Sequence, residues 1–130
     1  MNYQTPIEKF NHLLNLTLNQ ELVSTILFGS VARGTDTIES DIDILVIITE
    51  DNLEIRDKII ECVFVINLEF DVLISPIIMS NNNYENPLFQ KTLLYRNIQA
   101  EGVIFMKQGI VSQKVSLNDL RDARKREEVE

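Results

Sequence analysis

Two apolar runs of equal length limit what this chain can fold into. Leu22–Phe28 reads LVSTILF and Ile42–Ile48 reads IDILVII, and both are rich in β-branched and other apolar residues. Runs of this kind, bounded by turn-forming residues, are typical of strands that are buried in a sheet. The polar segment between them contains Gly29 and Gly34, which break the first run sharply. The two runs therefore predict a sheet whose strands are covered by other elements.

Helical periodicity surrounds these predicted strands. Thr5-Pro6-Ile7-Glu8 has the form of a capping box with proline at the first helical position, and it predicts a helix from Pro6 to Gln20. The elements predicted after the second strand are a helix from Asp51 to about Asn67, a strand from Phe70 to Ile78, a helix from Tyr84 or Pro87 to Glu101, a strand from Val103 to Met106 and a charged helix that begins at Ser116. In the first of these helices, residues 62–66 fit a strand equally well. This order predicts an α/β (α+β) fold.

Composition limits the class of protein further. The 130 residues are 45% hydrophobic, enough for one core, and the formal net charge of −8 argues against a protein that tracks a nucleic-acid backbone. A single cysteine, Cys62, excludes an internal disulfide and a cysteine-based zinc site, and a single histidine, His12, counts against a Ser/His triad. No apolar run has the length of a membrane span, and the first residues lack a secretion signal. We therefore expect a cytoplasmic domain that works with carboxylates, hydroxyls and backbone groups.

The acidic residues are concentrated in the middle of the chain, where eleven of the 20 lie between Asp36 and Asp71. Those from Glu50 to Glu61 are interpreted as the solvated face of a helix. Asp41 and Asp43 differ, because positions i and i+2 of a strand point to the same face. Singly, each fits an ordinary loop or strand acid. Together they form a repelling carboxylate pair, which a divalent cation such as Mg²⁺ would neutralise.

A turn rich in small residues precedes this pair. Gly29 and Ser30 end the first strand, and glycine allows both a sharp turn and a close approach of the backbone to a ligand. The following residues can form one helical turn, whose N–H groups would bind phosphate. Arg33 lies in the same turn, where it fits either a phosphate contact or a solvent-exposed loop position. Ten residues separate Ser30 from Asp41. The turn and the pair therefore predict a site for a phosphorylated ligand and its cation.

These residues resemble the signature of a known family. GSVARG, the ten-residue spacer and SDID are similar to the motif of the DNA polymerase β-like nucleotidyltransferases, in their branch of minimal nucleotidyltransferases. The resemblance covers about residues 22–106 and implies a small mixed sheet with helices packed on one face. It predicts a nucleotidyltransferase domain over residues 1–106 and a charged tail over residues 107–130 that forms no separate domain. It also implies a third carboxylate on a neighbouring strand, for which Asp71 is the match and Glu69 the alternative.

The resemblance implies transfer of a nucleoside monophosphate from a nucleoside triphosphate to an acceptor hydroxyl, with release of pyrophosphate. In that scheme Gly29 and Ser30 hold the β- and γ-phosphates, with Arg33 as a further phosphate contact. Asp41 and Asp43 bind two Mg²⁺ ions, which clamp the attacking and leaving oxygens. Asp71 shares the metal near the acceptor and helps to deprotonate it.

The acceptor is predicted only by analogy within the family. Minimal nucleotidyltransferases often work with a separate all-helical HEPN protein, a ribonuclease toxin, which they neutralise by adding AMP to a tyrosine. The resemblance therefore implies an ATP-using antitoxin with a HEPN partner. Two alternatives are a non-catalytic module that neutralises its partner by binding, and a transferase that modifies a small molecule such as an antibiotic. Neither a membrane nor a nucleic acid is expected as a partner, and a homo-oligomer is left open.

Overall fold

A four-stranded mixed sheet forms the centre of the protein in a computed structural model, which describes residues 3–107. The strands are β1 (Leu22–Phe28), β2 (Ile42–Ile48), β3 (Ile74–Ser80) and β4 (Val103–Lys107), arranged in the order β3-β2-β1-β4. β1 is antiparallel to both β2 and β4, whereas β2 and β3 are parallel. The predicted bounds of β1 and β2 are confirmed, because each apolar run stops at glycine or at a charged or polar residue.

Within residues 3–107, five helices connect and cover these strands: α1 (Gln4–Leu18), α2 (Gly29–Arg33), α3 (Leu53–Phe70), α4 (Asn81–Tyr84) and α5 (Leu93–Glu101). Short 3₁₀ turns lie at Asn19–Glu21 and Phe89–Lys91. No helix within residues 3–107 is long and apolar enough to cross a membrane. The charged helix predicted from Ser116 lies outside the described residues.

The capping box predicted at the start of α1 is wrong. The N-cap is Tyr3, no side chain caps the helix, and Pro6 is its third residue. Tyr3 is buried in the core, and its carbonyl accepts a hydrogen bond from the N–H of Ile7 at 3.1 Å. Burial of the Tyr3 ring therefore starts the helix earlier than the Thr5-Pro6 pattern indicates.

The largest departure from the predicted elements lies after α3. This helix continues to Phe70, and the segment at 62–66 that fitted a strand is helical. Asp71 is the C-cap in the left-handed conformation (φ 52°, ψ 48°), and β3 begins only at Ile74. Asn67 stabilises this ending, because its backbone carbonyl accepts from Val72 N–H at 3.3 Å and its side-chain oxygen accepts from Ile74 N–H at 2.9 Å. The strand predicted from Phe70 is therefore wrong over residues 70–73.

The sheet separates two cores of different size. The main core lies beneath α1 and α3 and includes the β2 residues Ile42, Ile44, Val46 and Ile48. The smaller core includes Leu45 and Ile47 of β2 and Ile98 of α5. Since alternate strand residues point to opposite faces, α5 covers the face opposite to α1 and α3. The prediction of helices on one face thus holds for the two long helices and is wrong for α5.

Gly102 fixes the position of α5 against β1. It ends α5 as the sequence predicts, but with an extended backbone rather than the left-handed one expected of a glycine at a helix end. A Cβ at this position would lie 2.4 Å from the carbonyl oxygen of Ile98 and 2.9 Å from Cγ2 of Ile26. Glycine is therefore required by close packing.

We expect Gly102→Ala to destabilise the fold by about 1–3 kcal/mol, the range typical of an overpacked core. The Ile98 contact is with backbone, which cannot rotate away, so α5 must shift. Urea denaturation monitored by circular dichroism would measure the change in the free energy of unfolding. An unchanged midpoint would contradict the close approach of α5 to β1.

Candidate active site

The predicted turn and the predicted acidic pair meet at one end of the sheet. Phe28, the last residue of β1, is paired with Asp43 of β2. The chain then turns through Gly29, whose φ is +77°, into α2. A Cβ on Gly29 would lie 2.2 Å from Oδ2 of Asp43 and 3.1 Å from its Cγ. The backbone of the turn therefore packs directly against the Asp43 carboxylate, and only glycine fits there.

Asp43 lies on the sheet face covered by α5. Strand alternation places its side chain on the same face as Leu45 and Ile47, which belong to the smaller core. The side chain is half-buried, and this burial is the main reason why the pKa of Asp43 is raised above its ordinary value. The negative charge of Asp41 raises the pKa further, while the positive charge of Arg33 lowers it. Asp41 and Arg33 are therefore both close enough to act on the Asp43 carboxyl.

The donor set at this place fits a divalent cation. Burial of Asp43 and its repulsion by Asp41 make the ionised pair costly, and a cation between the two carboxylates offsets that cost. Within residues 3–107, no group of three or more His, Cys, Asp or Glu side chains could hold a metal ion. Magnesium is commonly bound through one or two carboxylates, with phosphate oxygens and water completing its shell. Asp41 and Asp43 fit a cation of that kind, which arrives with a phosphorylated ligand.

Ser30 lies beside this pair at the start of α2. It is the second residue of the helix, and its backbone carbonyl accepts a hydrogen bond from Thr35 N–H at 3.0 Å. Its side chain is partly exposed. The structure therefore places Ser30 next to Gly29 just after β1, and its role as a phosphate contact stays a prediction.

Arg33 ends α2 and forms an ion pair that the sequence did not predict. Its Nη1 donates a hydrogen bond to Oε1 of Glu101, the last residue of α5, at 2.9 Å. The two residues are 68 positions apart in the chain, so no local pattern indicates the contact. Arg33 thus lies at the predicted site, with its guanidinium held by an acidic partner.

The structure does not group Asp71 with Asp41 and Asp43. Asp71 is exposed at the C-cap of α3, and the strand that should carry it begins three residues later. On β3 the residue paired with Asp43 is Ser75. The alternative, Glu69, is on α3 and forms an ion pair with Lys9. In the described part of the chain, the neighbouring strand therefore places a serine, not a carboxylate, beside Asp43.

We expect Asp71→Asn to keep nucleotide-dependent activity within about threefold of the unchanged protein, the effect of removing a charge outside the reacting geometry. Asparagine tolerates the left-handed conformation at this cap, so the fold should also be retained. Steady-state transfer rates, measured beside Asp43→Asn as the inactive reference, would check this. A loss as large as that of Asp43→Asn would restore Asp71 as a third ligand.

The fold and the site define a nucleotide-handling class of protein: a small mixed sheet on which a Gly-Ser turn packs against an Asp-x-Asp pair. Residues 14–104 match the family model of the nucleotidyltransferase domain. The chain therefore belongs to the nucleotidyltransferase family, which confirms the resemblance drawn from the motif.

Two relatives come from Methanocaldococcus jannaschii. “Putative protein adenylyltransferase MJ0141” is 41% identical over 73 residues, which is 55% of this chain and 74% of that protein. “Putative protein adenylyltransferase MJ0604” is 34% identical over 105 residues, which is 78% of this chain and 96% of that protein.

The fold is shared with solved structures of lower sequence similarity. One is described as a toxin-antitoxin with AMP-PNP, and it has 20% identity and a TM-score of 0.52, with 94% of this chain and 85% of that chain covered. Another is the toxin-antitoxin MntA-HpeT carrying the mutations D39E and D41E, with 18% identity and the same TM-score and coverage. These likenesses bear out the mixed α/β fold class.

Proposed function

We propose that this protein transfers AMP from ATP to a hydroxyl group of a partner protein and acts as the antitoxin of a toxin–antitoxin pair. The observation that carries the proposal is the contact of the Gly29 backbone with the Asp43 carboxylate, with Asp41 beside it. Family membership supports nucleotidyl transfer. The names of the two archaeal relatives support AMP and a protein acceptor, and the structural neighbours support a toxin partner.

Each residue of this site has a separate role in the proposed reaction. Asp41 and Asp43 would hold Mg²⁺, which supplies a Lewis acid for the phosphate oxygens when it is bound. Gly29 and Ser30 would hold the outer phosphates through backbone and hydroxyl groups, and the Arg33 guanidinium would pair with a phosphate oxygen. The acceptor hydroxyl gives its proton to solvent water and its oxygen forms a bond to the α-phosphorus, while the bond from the α-phosphorus to the β-phosphate oxygen breaks and pyrophosphate leaves. A count of two Mg²⁺ ions stays a prediction.

The residue beside Asp43 on β3 favours a phenolic acceptor. Ser75 occupies that position and Asp71 lies outside the group, so no third acidic side chain within residues 3–107 is grouped with the pair to accept a proton. An acceptor that ionises readily needs such a base least, and a tyrosine with a pKa of about 10 ionises far more readily than an aliphatic hydroxyl. We therefore propose a tyrosine of a HEPN-type toxin as the acceptor.

A purely binding antitoxin is the second candidate, and one surface favours it. Ile60, Phe64 and Leu68 are spaced four residues apart along α3 and are 45%, 63% and 77% exposed. Residues at this spacing form one stripe on a helix, and exposed apolar stripes mark protein contacts. Neutralisation by coverage of the toxin would then need this stripe and would not need the acidic pair.

Incubation with α-³²P-ATP, Mg²⁺ and lysate of the source cells tests the proposal, with the Asp41→Ala, Asp43→Ala double variant alongside. We expect one labelled protein band that the variant does not produce and that γ-³²P-ATP does not label. Label in RNA or in a small molecule would keep the transferase and overturn the protein acceptor. If toxicity of the partner is suppressed equally by the double variant, neutralisation is by binding.

A further inference from the structure

We propose that Glu101 is a positioning residue that holds the Arg33 guanidinium beside the carboxylate pair, ready to meet the phosphates of the nucleotide. This inference rests on the proposed function, because it assigns a role within that same site. It concerns orientation only: Glu101 itself needs no contact with the nucleotide.

The two partners of this ion pair are anchored differently. The Glu101 side chain is 21% exposed, whereas the Arg33 side chain is 46% exposed. Glu101 lies at the end of α5, which is fixed by the buried Ile98 and by the close contact of Gly102 with Ile26. Arg33 ends a five-residue helix and is followed by Gly34 in a left-handed conformation. Glu101 is therefore the less exposed partner, on the helix that is packed against the sheet, and we infer that it determines where the Arg33 guanidinium lies.

The position of Arg33 matters because the Asp43 carboxylate lies near it. Arg33 ends the five-residue helix whose first residue, Gly29, packs against the Asp43 carboxylate. The effect of its charge on the pKa of Asp43 agrees with that placement. A guanidinium has five N–H donors in a fixed planar fork, and the bond to Glu101 uses Nη1. The remaining donors are available for a phosphate brought to Asp41 and Asp43. Loss of Glu101 would leave the same charge nearby with no defined orientation.

A second ion pair among the described residues, Lys9 with Glu69, provides a matched control. This pair also joins two helices, α1 and α3, but on the sheet face opposite to Asp43, and its side chains are 51% and 41% exposed. If an ion pair between helices acts only by stabilising the fold, removal of either one should have similar consequences. If Glu101 positions Arg33, only its removal should change nucleotide binding.

The test measures the Kd for AMP-PNP with Mg²⁺ by calorimetry, together with kcat and KM for ATP and the Tm. We expect Glu101→Gln to weaken analogue binding and to raise KM by about tenfold, as loss of an orienting partner does at ligand sites, with kcat within about threefold. Glu69→Gln should change none of these. The double variant Arg33→Gln, Glu101→Gln should bind no more weakly than Arg33→Gln alone, because the two residues act as one unit.

Each contrary result has a separate meaning. Unchanged Kd in Glu101→Gln, or additive losses in the double variant, would overturn the positioning role. Equal losses in Glu101→Gln and Glu69→Gln would reduce the ion pair to a structural contact and would also overturn it. Binding of the analogue that depends on Glu101 in a protein that transfers nothing would keep this inference and overturn the proposed function. No binding by the unchanged protein would overturn both.

Discussion

Asp43→Asn is expected to abolish nucleotidyl transfer, by about 10²–10³-fold or more, while the protein stays folded. The expected loss is large because a metal at a reacting phosphate lowers the barrier by several kcal/mol, and each 1.36 kcal/mol is a factor of ten in rate. Asparagine keeps the size of the aspartate side chain, so the Gly29 turn is not disturbed sterically. Transfer of α-³²P-AMP, measured at saturating ATP, would give the change in rate.

The same variant, Asp43→Asn, should lose activity without losing stability. In the folded protein the ionised Asp43 is disfavoured by burial and by Asp41. Replacing it with a neutral amide removes both effects, so the Tm in EDTA at neutral pH should be unchanged or higher than that of the unchanged protein. Addition of Mg²⁺ with AMP-PNP should then raise the Tm of the unchanged protein and not that of the variant.

These two measurements distinguish a failed fold from a failed site. A variant that loses both transfer and stability would show only that Asp43 supports the fold. A variant that transfers at the original rate would exclude Asp43 from the machinery, whatever its stability. Asp41→Asn, at an exposed position, offers the same test without any effect on packing.

The parts of the molecule that the sequence predicts well are local. β1 and β2 are bounded by residues that the chain itself supplies, glycine after Phe28 and charged or polar residues around Ile42–Ile48. The Gly-Ser turn and the Asp-x-Asp pair each need only a few neighbouring residues, and strand alternation fixes which way Asp43 faces. These same residues indicate the family, and the match of residues 14–104 to the nucleotidyltransferase domain confirms it.

The parts that the sequence predicts poorly depend on register and on distant contacts. Apolar residues on either side of Asp71 fit a strand, yet α3 continues to Phe70 because Asn67 binds the backbone of the segment that follows. The pairing of β2 with β3 determines which residue lies beside Asp43, and α3 separates these two strands in the chain. The partner of Arg33 is likewise determined by where α5 packs. The neighbourhood of the predicted pair therefore required the tertiary structure.

The second large effect is expected at Gly29, where alanine should reduce kcat/KM by about 10²-fold. Its Cβ would lie 2.2 Å from Oδ2 of Asp43, so the carboxylate must move by about 1 Å to reach an ordinary contact. A misplacement of about 1 Å at a reacting centre can cost about 10²-fold in rate. The carboxylate is the end of a side chain that can rotate, so the expected damage is to the site more than to the fold.

Gly34 supplies the matched control, because it shares the positive φ of Gly29 without the contact. Both glycines have φ +77°, and a Cβ on Gly34 meets nothing within 4 Å. An alanine at positive φ costs about 1–2 kcal/mol, so both variants should lose stability in urea denaturation. Only Gly29→Ala should also lose transfer. If both variants lose transfer equally, the turn acts through its backbone conformation; if neither does, the contact between Gly29 and Asp43 has no part in the reaction.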